Sequence, residues 1–161
     1  MRVALYLFMV ALGLSACSAP PELPSPPSGF PDLNAFSAVD PREFKLGGRA
    51  FVSPEQIHCV LDNGPQKTVV CGGNIEGVPD SVGGAGCPRV SRPENGPDEA
   101  PYTMSRSQGA CTSARFKPIS TGKKLVGDNS TCVVGKNNLV ACIDADHKHG
   151  FVLQPSGSWT F

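Results

Sequence analysis

The chain has 161 residues, with fourteen Lys and Arg balanced by fourteen Asp and Glu. Once an N-terminal leader is set aside, this length holds one folded domain of about 125 residues, and a second core is not expected. No run of Lys and Arg is long enough to act as an electrostatic footprint, so nucleic acid is excluded as a partner, and 18 glycines with 16 prolines favour turns and short strands over helices.

Residues 1–16 read as an export signal. Arg2 supplies a small positive region, and residues 3–14 form an uncharged apolar run. The run is too short for a spanning helix, which needs about 20 residues, but has the length of a signal-peptide core. It ends in Leu14-Ser15-Ala16-Cys17, which resembles the lipobox of bacterial lipoproteins. The resemblance implies that the Cys17 thiolate takes up a diacylglyceryl group and that cleavage falls just before it. Two or three acyl chains, at about 0.8 kcal/mol per buried methylene, would hold a soluble domain on a membrane. An ordinary secretory leader is the alternative, because small residues also surround this position; only the lipoprotein would partition into detergent and carry lipid mass at Cys17. Residues 17–35 then read as a lipid-anchored spacer, since residues 18–31 carry six prolines and favour extended polyproline II over helix or sheet.

Residues 36–161 read as the folded domain. Six cysteines remain there, Cys59, Cys71, Cys87, Cys111, Cys132 and Cys142, and an even number in an exported chain points to disulfides. Sequence alone leaves many pairings open, but two intervals have the geometry of a hairpin. Setting Cys59 opposite Cys71 places Val60 against Val70, Leu61 against Val69 and Asp62 against Thr68, with the turn on Asn63-Gly64-Pro65-Gln66. Setting Cys132 opposite Cys142 places Val133 against Ala141 and Val134 against Val140, with Gly135-Lys136-Asn137-Asn138 at the bend. Directly opposed antiparallel residues are close enough for a disulfide. The favoured connectivity is therefore Cys59 with Cys71, Cys132 with Cys142, and Cys87 with Cys111 closing the Gly- and Pro-rich segment between. Chain-entropy arithmetic makes each bridge worth about 3 kcal/mol.

Taken in order, Phe51-Val52-Ser53-Pro54-Glu55-Gln56-Ile57-His58-Cys59, Val70-Cys71, Gly86-Cys87-Pro88, Cys111, Gly122-Lys123-Lys124-Leu125, Cys132 and Cys142 resemble an uncharacterised family of small secreted and lipoprotein domains of actinobacteria. The likeness covers residues 51–161. It implies that His149-Gly150-Phe151-Val152-Leu153 and Trp159-Thr160-Phe161 form a C-terminal strand pair, and it implies an envelope location rather than an activity. Residues 89–109 depart from the family pattern with a Pro- and charge-rich loop.

One cluster has ligand chemistry: Asp144, Asp146, His147 and His149, around Lys148 and before Gly150. Two imidazoles and two carboxylates would suit Zn²⁺ if all four turned inward on a tight loop. A hydrated turn is the simpler reading, because Asp and His before Gly are ordinary turn residues and Lys148 opposes a cation. No phosphate-cradling loop, C-x-x-C pair, H-E-x-x-H or nucleophile-elbow motif is present. Tyr102 and Met104 are candidates for an exposed contact patch, and His58 reads as a packing or surface histidine on the face opposite Cys59.

The expected fold is mainly β, a small disulfide-stapled domain of antiparallel hairpins with long irregular loops. One hairpin spans residues 54–72, an irregular stapled segment runs to Cys111, and a meander spans residues 124–153. Phe151, Trp159 and Phe161 are expected to close the core with Val52, Ile57, Val69, Val133 and Val140. The expected role is a noncatalytic lipoprotein without cofactor, on the outer face of the cytoplasmic membrane or elsewhere in the cell envelope, binding a protein, glycan or small ligand. A metal-binding surface protein and a small hydrolase are the alternatives.

Overall fold

The computed structural model describes residues 23–44, 49–93, 96–97, 99–112 and 115–161. The leader, the lipobox and Cys17 lie outside the described residues. The fold is mainly β, as expected, and consists of two six-stranded sheets. The strands are β1 (Ser37–Ala38), β2 (Ala50–Val52), β3 (Ile57–Asn63), β4 (Thr68–Gly73), β5 (Cys87–Ser91), β6 (Thr103–Ser107), β7 (Lys117–Pro118), β8 (Lys123–Val126), β9 (Ser130–Val134), β10 (Val140–Asp144), β11 (Gly150–Leu153) and β12 (Trp159–Thr160). Sheet A has the order β1-β8-β9-β10-β11-β12 and sheet B the order β6-β5-β4-β3-β2-β7.

Strand periodicity of two decides which side chains meet. In sheet A one register row runs Leu125, Cys132, Cys142, Phe151, and in sheet B the corresponding row runs Phe51, Cys59, Cys71, Val90. All eight are at most 1% exposed and belong to one core cluster, so these rows are the facing inner surfaces of the two sheets. Each contains one cross-strand disulfide, Cys59–Cys71 in sheet B and Cys132–Cys142 in sheet A, both with Cα atoms 4.1 Å apart. The sulfurs of Cys59, Cys71 and Cys142 lie within 4.8 Å of one another, so the two bridges meet at the centre of the domain. The third bridge joins Cys87 to Cys111.

The outer face of sheet A is also apolar. Its row Val133, Ala141, Val152 and Trp159 is covered by Phe30, Leu33 and Phe36, and together they form a second, smaller core that was not expected from the length, because residues read as spacer supply its cover. Residues 30–35, read from the sequence as the end of a spacer, thus pack on the domain. A 3-10 turn at Leu33–Ala35, capped by the Asp32 carboxylate, turns the chain into β1, which pairs in parallel with β8. Phe151, Val52, Ile57, Val69, Val133 and Val140 are buried as expected, whereas Trp159 and Phe161 are half-buried and Trp159 serves the outer cluster.

Three local expectations are corrected. The segment leading to Cys111 is not irregular throughout: β5 and β6 pair over five residues each, Cys87 with Ser107 through Ser91 with Thr103. Tyr102 is 2% exposed and Met104 packs against the core, so neither belongs to an exposed patch. The first hairpin keeps its expected register at Cys59–Cys71 and Val60–Val70, then shifts, so that Asn63 rather than Asp62 faces Thr68. The extra residue is a β-bulge, with Asp62 at φ 50°. Sequence spacing counts residues and cannot register one bulged out of a ladder. The second hairpin has the expected register throughout, and the C-terminal pair β11 and β12 is antiparallel.

Candidate functional site

The four residues of the Asp144 to His149 cluster do not converge. Asp144 ends β10 and is turned inward, with its carboxylate ion-paired to Arg92 and accepting a 2.7 Å hydrogen bond from the Tyr102 hydroxyl. Asp146 is exposed and lies 3.8 Å from Lys148. The His147 ring Nδ1 is 3.0 Å from the Pro24 carbonyl, and the half-buried His149 has an Nδ1 without a hydrogen-bond partner among the described residues. The segment is a hairpin turn closed by hydrogen bonds from Asp144 N–H to the His149 carbonyl and from His147 N–H to the Asp144 carbonyl. Among the described residues, the only ligand-type group of three that shares a 4.8 Å sphere is Cys59, Cys71 and Cys142, whose sulfurs are spent in disulfides.

Asp144, Tyr102 and Arg92 form a bracket between the sheets. The Tyr102 hydroxyl accepts from Val69 N–H at 3.1 Å while donating to Asp144, and the Arg92 guanidinium lies 5.2 Å from the Tyr102 ring centre. Burial pushes the Asp144 carboxyl above the usual carboxylate range, although the Tyr102 bond and the Arg92 charge both pull it down. Burial, followed by the Asp144 charge, pushes the Tyr102 phenol far above its usual value, so it stays protonated as a donor. Beside the bracket is a cleft of about 240 Å³ lined by Gln66, Lys67, Thr68, Asn129 and the acidic Asp144 and Asp146.

The more extended feature is the outer face of sheet B. The register places His58, Gly72, Arg89 and Ser105 in one row across β3 to β6, with Val60 and Val70 in the next row on the first two of these strands. Unlike the outer face of sheet A, this surface carries polar residues. Three hollows of about 310, 330 and 340 Å³ adjoin there, and Arg89 lines all three. The rest of the lining mixes hydroxyls and amides, Asn63 and Gln66 from the β3–β4 turn and Ser91, Thr103, Ser105 and Ser107 from β5 and β6, with small apolar residues in about equal measure.

Glycines shape one end of this surface. A Cβ at Gly72 would lie 3.2 Å from His58 Nε2; Gly73, at φ 111°, would place a Cβ 2.3 Å from the Gln56 carbonyl oxygen, so no side chain fits there. The imidazole of His58 lies edge-on to Phe116, its Nδ1 has no hydrogen-bond partner among the described residues, and burial holds its pKa below the ordinary value. Arg89 is exposed and makes no hydrogen bond or ion pair among the described residues, in contrast to Arg92 and Arg106, the second bonding the Val82 and Gly86 carbonyls.

Arg89 and the flanking hydroxyls escaped the reading of the sequence, which took residues 89–109 as a loop, whereas His58 lies on the face opposite Cys59, as expected. The signal was available in Thr-Met-Ser-Arg-Ser, whose exposure alternates along the strand, and more weakly in Arg-Val-Ser, where the buried Val90 lies between two polar residues. The prolines between them concealed it. Comparison with known protein families, with curated proteins and with solved structures finds no match to this chain. Three disulfides are compatible with an exported or extracellular protein, and no helix among the described residues is long and apolar enough to cross a membrane.

Proposed function

We propose that the chain is an exported lipoprotein, held at the cell envelope by acyl chains on Cys17, whose domain binds a ligand on the outer face of sheet B and performs no catalysis. The observation that carries this reading is the difference between the two outer sheet faces. One is apolar and covered by Phe30, Leu33 and Phe36, while the other mixes Arg89, hydroxyls and amides with small apolar residues, is open and is indented by three adjoining hollows. Binding sites are concave surfaces with a few fixed polar groups, and this face has that character.

Two features support binding over chemistry. Among the described residues, no serine, threonine or cysteine side chain is hydrogen-bonded to an imidazole or a carboxylate, the arrangement an activated nucleophile requires. The buried Asp144 is engaged by Arg92 and Tyr102, which fits a structural bracket better than a general base. The lipobox-like Leu14-Ser15-Ala16-Cys17 supports the anchor.

The test has two arms. Intact-mass analysis of protein isolated from membranes should find lipid on Cys17, and Cys17→Ala should release the chain into the soluble fraction. Adding an extract of envelope material to isotope-labelled protein should shift amide resonances of β4, β5 and β6 and leave β9 and β10 unmoved. An unlipidated Cys17, or shifts confined to sheet A, would overturn the corresponding half of the reading.

A further inference from the structure

We infer that the outer face of sheet B recognises an acidic glycan, with Arg89 clamping its carboxylate or phosphate and the surrounding hydroxyls and amides bonding its ring oxygens. The inference rests on the reading of this face as the binding surface and names the ligand class.

Charge complementarity carries it first. No described carboxylate lines any of the three hollows. Arg92, at one margin, is neutralised by Asp144, whereas Arg89 stands where the three hollows meet without an anionic partner among the described residues. A guanidinium is a planar fork of donors that matches a carboxylate or phosphate through two parallel hydrogen bonds. Across β4 its register partner is Gly72 and across β6 it is Ser105, so no bulky neighbour on either side shields the fork.

The lining narrows the ligand further. Asn63, Gln66, Ser91 and Ser105 present donors and acceptors and Thr103, whose hydroxyl donates to the Ser91 carbonyl, presents an acceptor, while the apolar part of the lining, about as extensive as the polar part, comes from small residues such as Val60, Val70 and Pro65. A peptide partner anchored by large apolar side chains would find no deep pocket among them. A polyhydroxylated ligand would find its oxygens matched. The face from β3 to β6 spans three interstrand spacings, about 14 Å, long enough for a few sugar rings in an extended chain.

The experiment titrates isotope-labelled, oxidised full chain with four probes: a trimer of galacturonate, its methyl ester, a glycerol-phosphate oligomer, and vesicles of phosphatidylglycerol. The expected result is binding of at least one of the two acidic oligomers, weakened by salt. It should shift the Arg89 Nε–H and Ser105 amide resonances, and if the galacturonate trimer is the ligand its ester should bind about tenfold more weakly or worse. Whether the carboxylate or the phosphate oligomer binds better identifies the source of the oxyanion. Arg89→Gln should abolish the response, Arg89→Lys should weaken it several-fold, and Lys136→Gln, in the exposed β9–β10 turn, should leave it unchanged. Equal binding of acid and ester at these resonances would overturn the acidic-glycan assignment while leaving the face as a binding surface. Binding of vesicles alone, or of no probe, overturns the glycan assignment; an envelope extract that also leaves sheet B unmoved overturns the binding surface as well.

Discussion

The Tyr102 hydroxyl accepts from Val69 N–H on β4 and donates to the Asp144 carboxylate at the end of β10, so one oxygen links sheet B to sheet A. Replacing the ring's hydroxyl with hydrogen, Tyr102→Phe, keeps the edge contact with Phe151, whose ring centre is 5.1 Å away, and removes only the polar link. The Val69 N–H is then left buried and unpaired, and a loss of about 1–3 kcal/mol is expected from urea unfolding. A loss under a few tenths would mean that the bracket contributes nothing net. His58 yields a second prediction, about pH. Burial holds its pKa below the ordinary 6.5, because the charged imidazolium is poorly solvated there. Above the unfolded value both states are neutral and the full stability is present. As pH falls below 6.5 the unfolded chain takes up the proton first, and stability declines until the folded imidazole also titrates. Nuclear magnetic resonance should place the His58 midpoint below 6.5, and His58→Gln should flatten that portion of the stability profile; a midpoint at or above 6.5 contradicts the buried placement.

The bulge in β3 shows how one inserted residue changes what an element does. Without it, Asp62 would face Thr68 across the hairpin; with it, the carboxylate is re-aimed toward the turn joining β8 to β9. There it accepts from Asp128 N–H and Asn129 N–H, each at 2.9 Å, and pairs with Arg49 at 2.9 Å, with only 1% of the side chain exposed. Asp62→Ala strips three donors of their acceptor and should cost about 2–3 kcal/mol, part of the guanidinium remaining accessible to water. Asp62→Asn keeps one oxygen and tolerates the left-handed backbone, so it should cost less. If the two substitutions are equally mild by thermal unfolding, the turn does not depend on this carboxylate. The same element marks the limit of what the sequence reveals. Cysteines spaced symmetrically about turn residues are enough to specify the register of both clamped hairpins beside the bridge, since a disulfide needs directly opposed positions. A bulge leaves no trace in that spacing. Nor does the alternation of Arg89, Val90 and Ser91 stand out when the partner strand lies beyond a run of prolines. The candidate surface was therefore hidden for the same reason as β5 and β6: its residues lie on neighbouring strands but are separated along the chain by a segment of loop composition.

At the scale of the whole molecule, the three bridges occupy two environments. Cys59, Cys71, Cys132 and Cys142 are at most 1% exposed at the centre of the sandwich, whereas the third bridge joins the buried Cys87, at the start of β5, to the exposed Cys111. Reduction by a dithiol requires a thiolate to reach a bridge sulfur, so access governs the order of opening. In native buffer Cys87–Cys111 should open first, and trapping with an alkylating reagent should label Cys87 and Cys111 while the other four remain bridged. The inner bridges should react only when the sheets separate, at a rate that follows global unfolding. Their contact adds a second consequence. Once one inner bridge has been opened and the sheets close again, its thiolate lies next to the other bridge, because the sulfurs of Cys59, Cys71 and Cys142 lie within 4.8 Å of one another in the folded domain. Species trapped midway should therefore include crossed pairs joining Cys142 to Cys59 or Cys71, detectable by peptide mapping. Labelling of Cys59 as fast as Cys111 would mean that the inner bridges are not enclosed between the sheets. Absence of crossed pairs among the trapped species would mean that they do not touch.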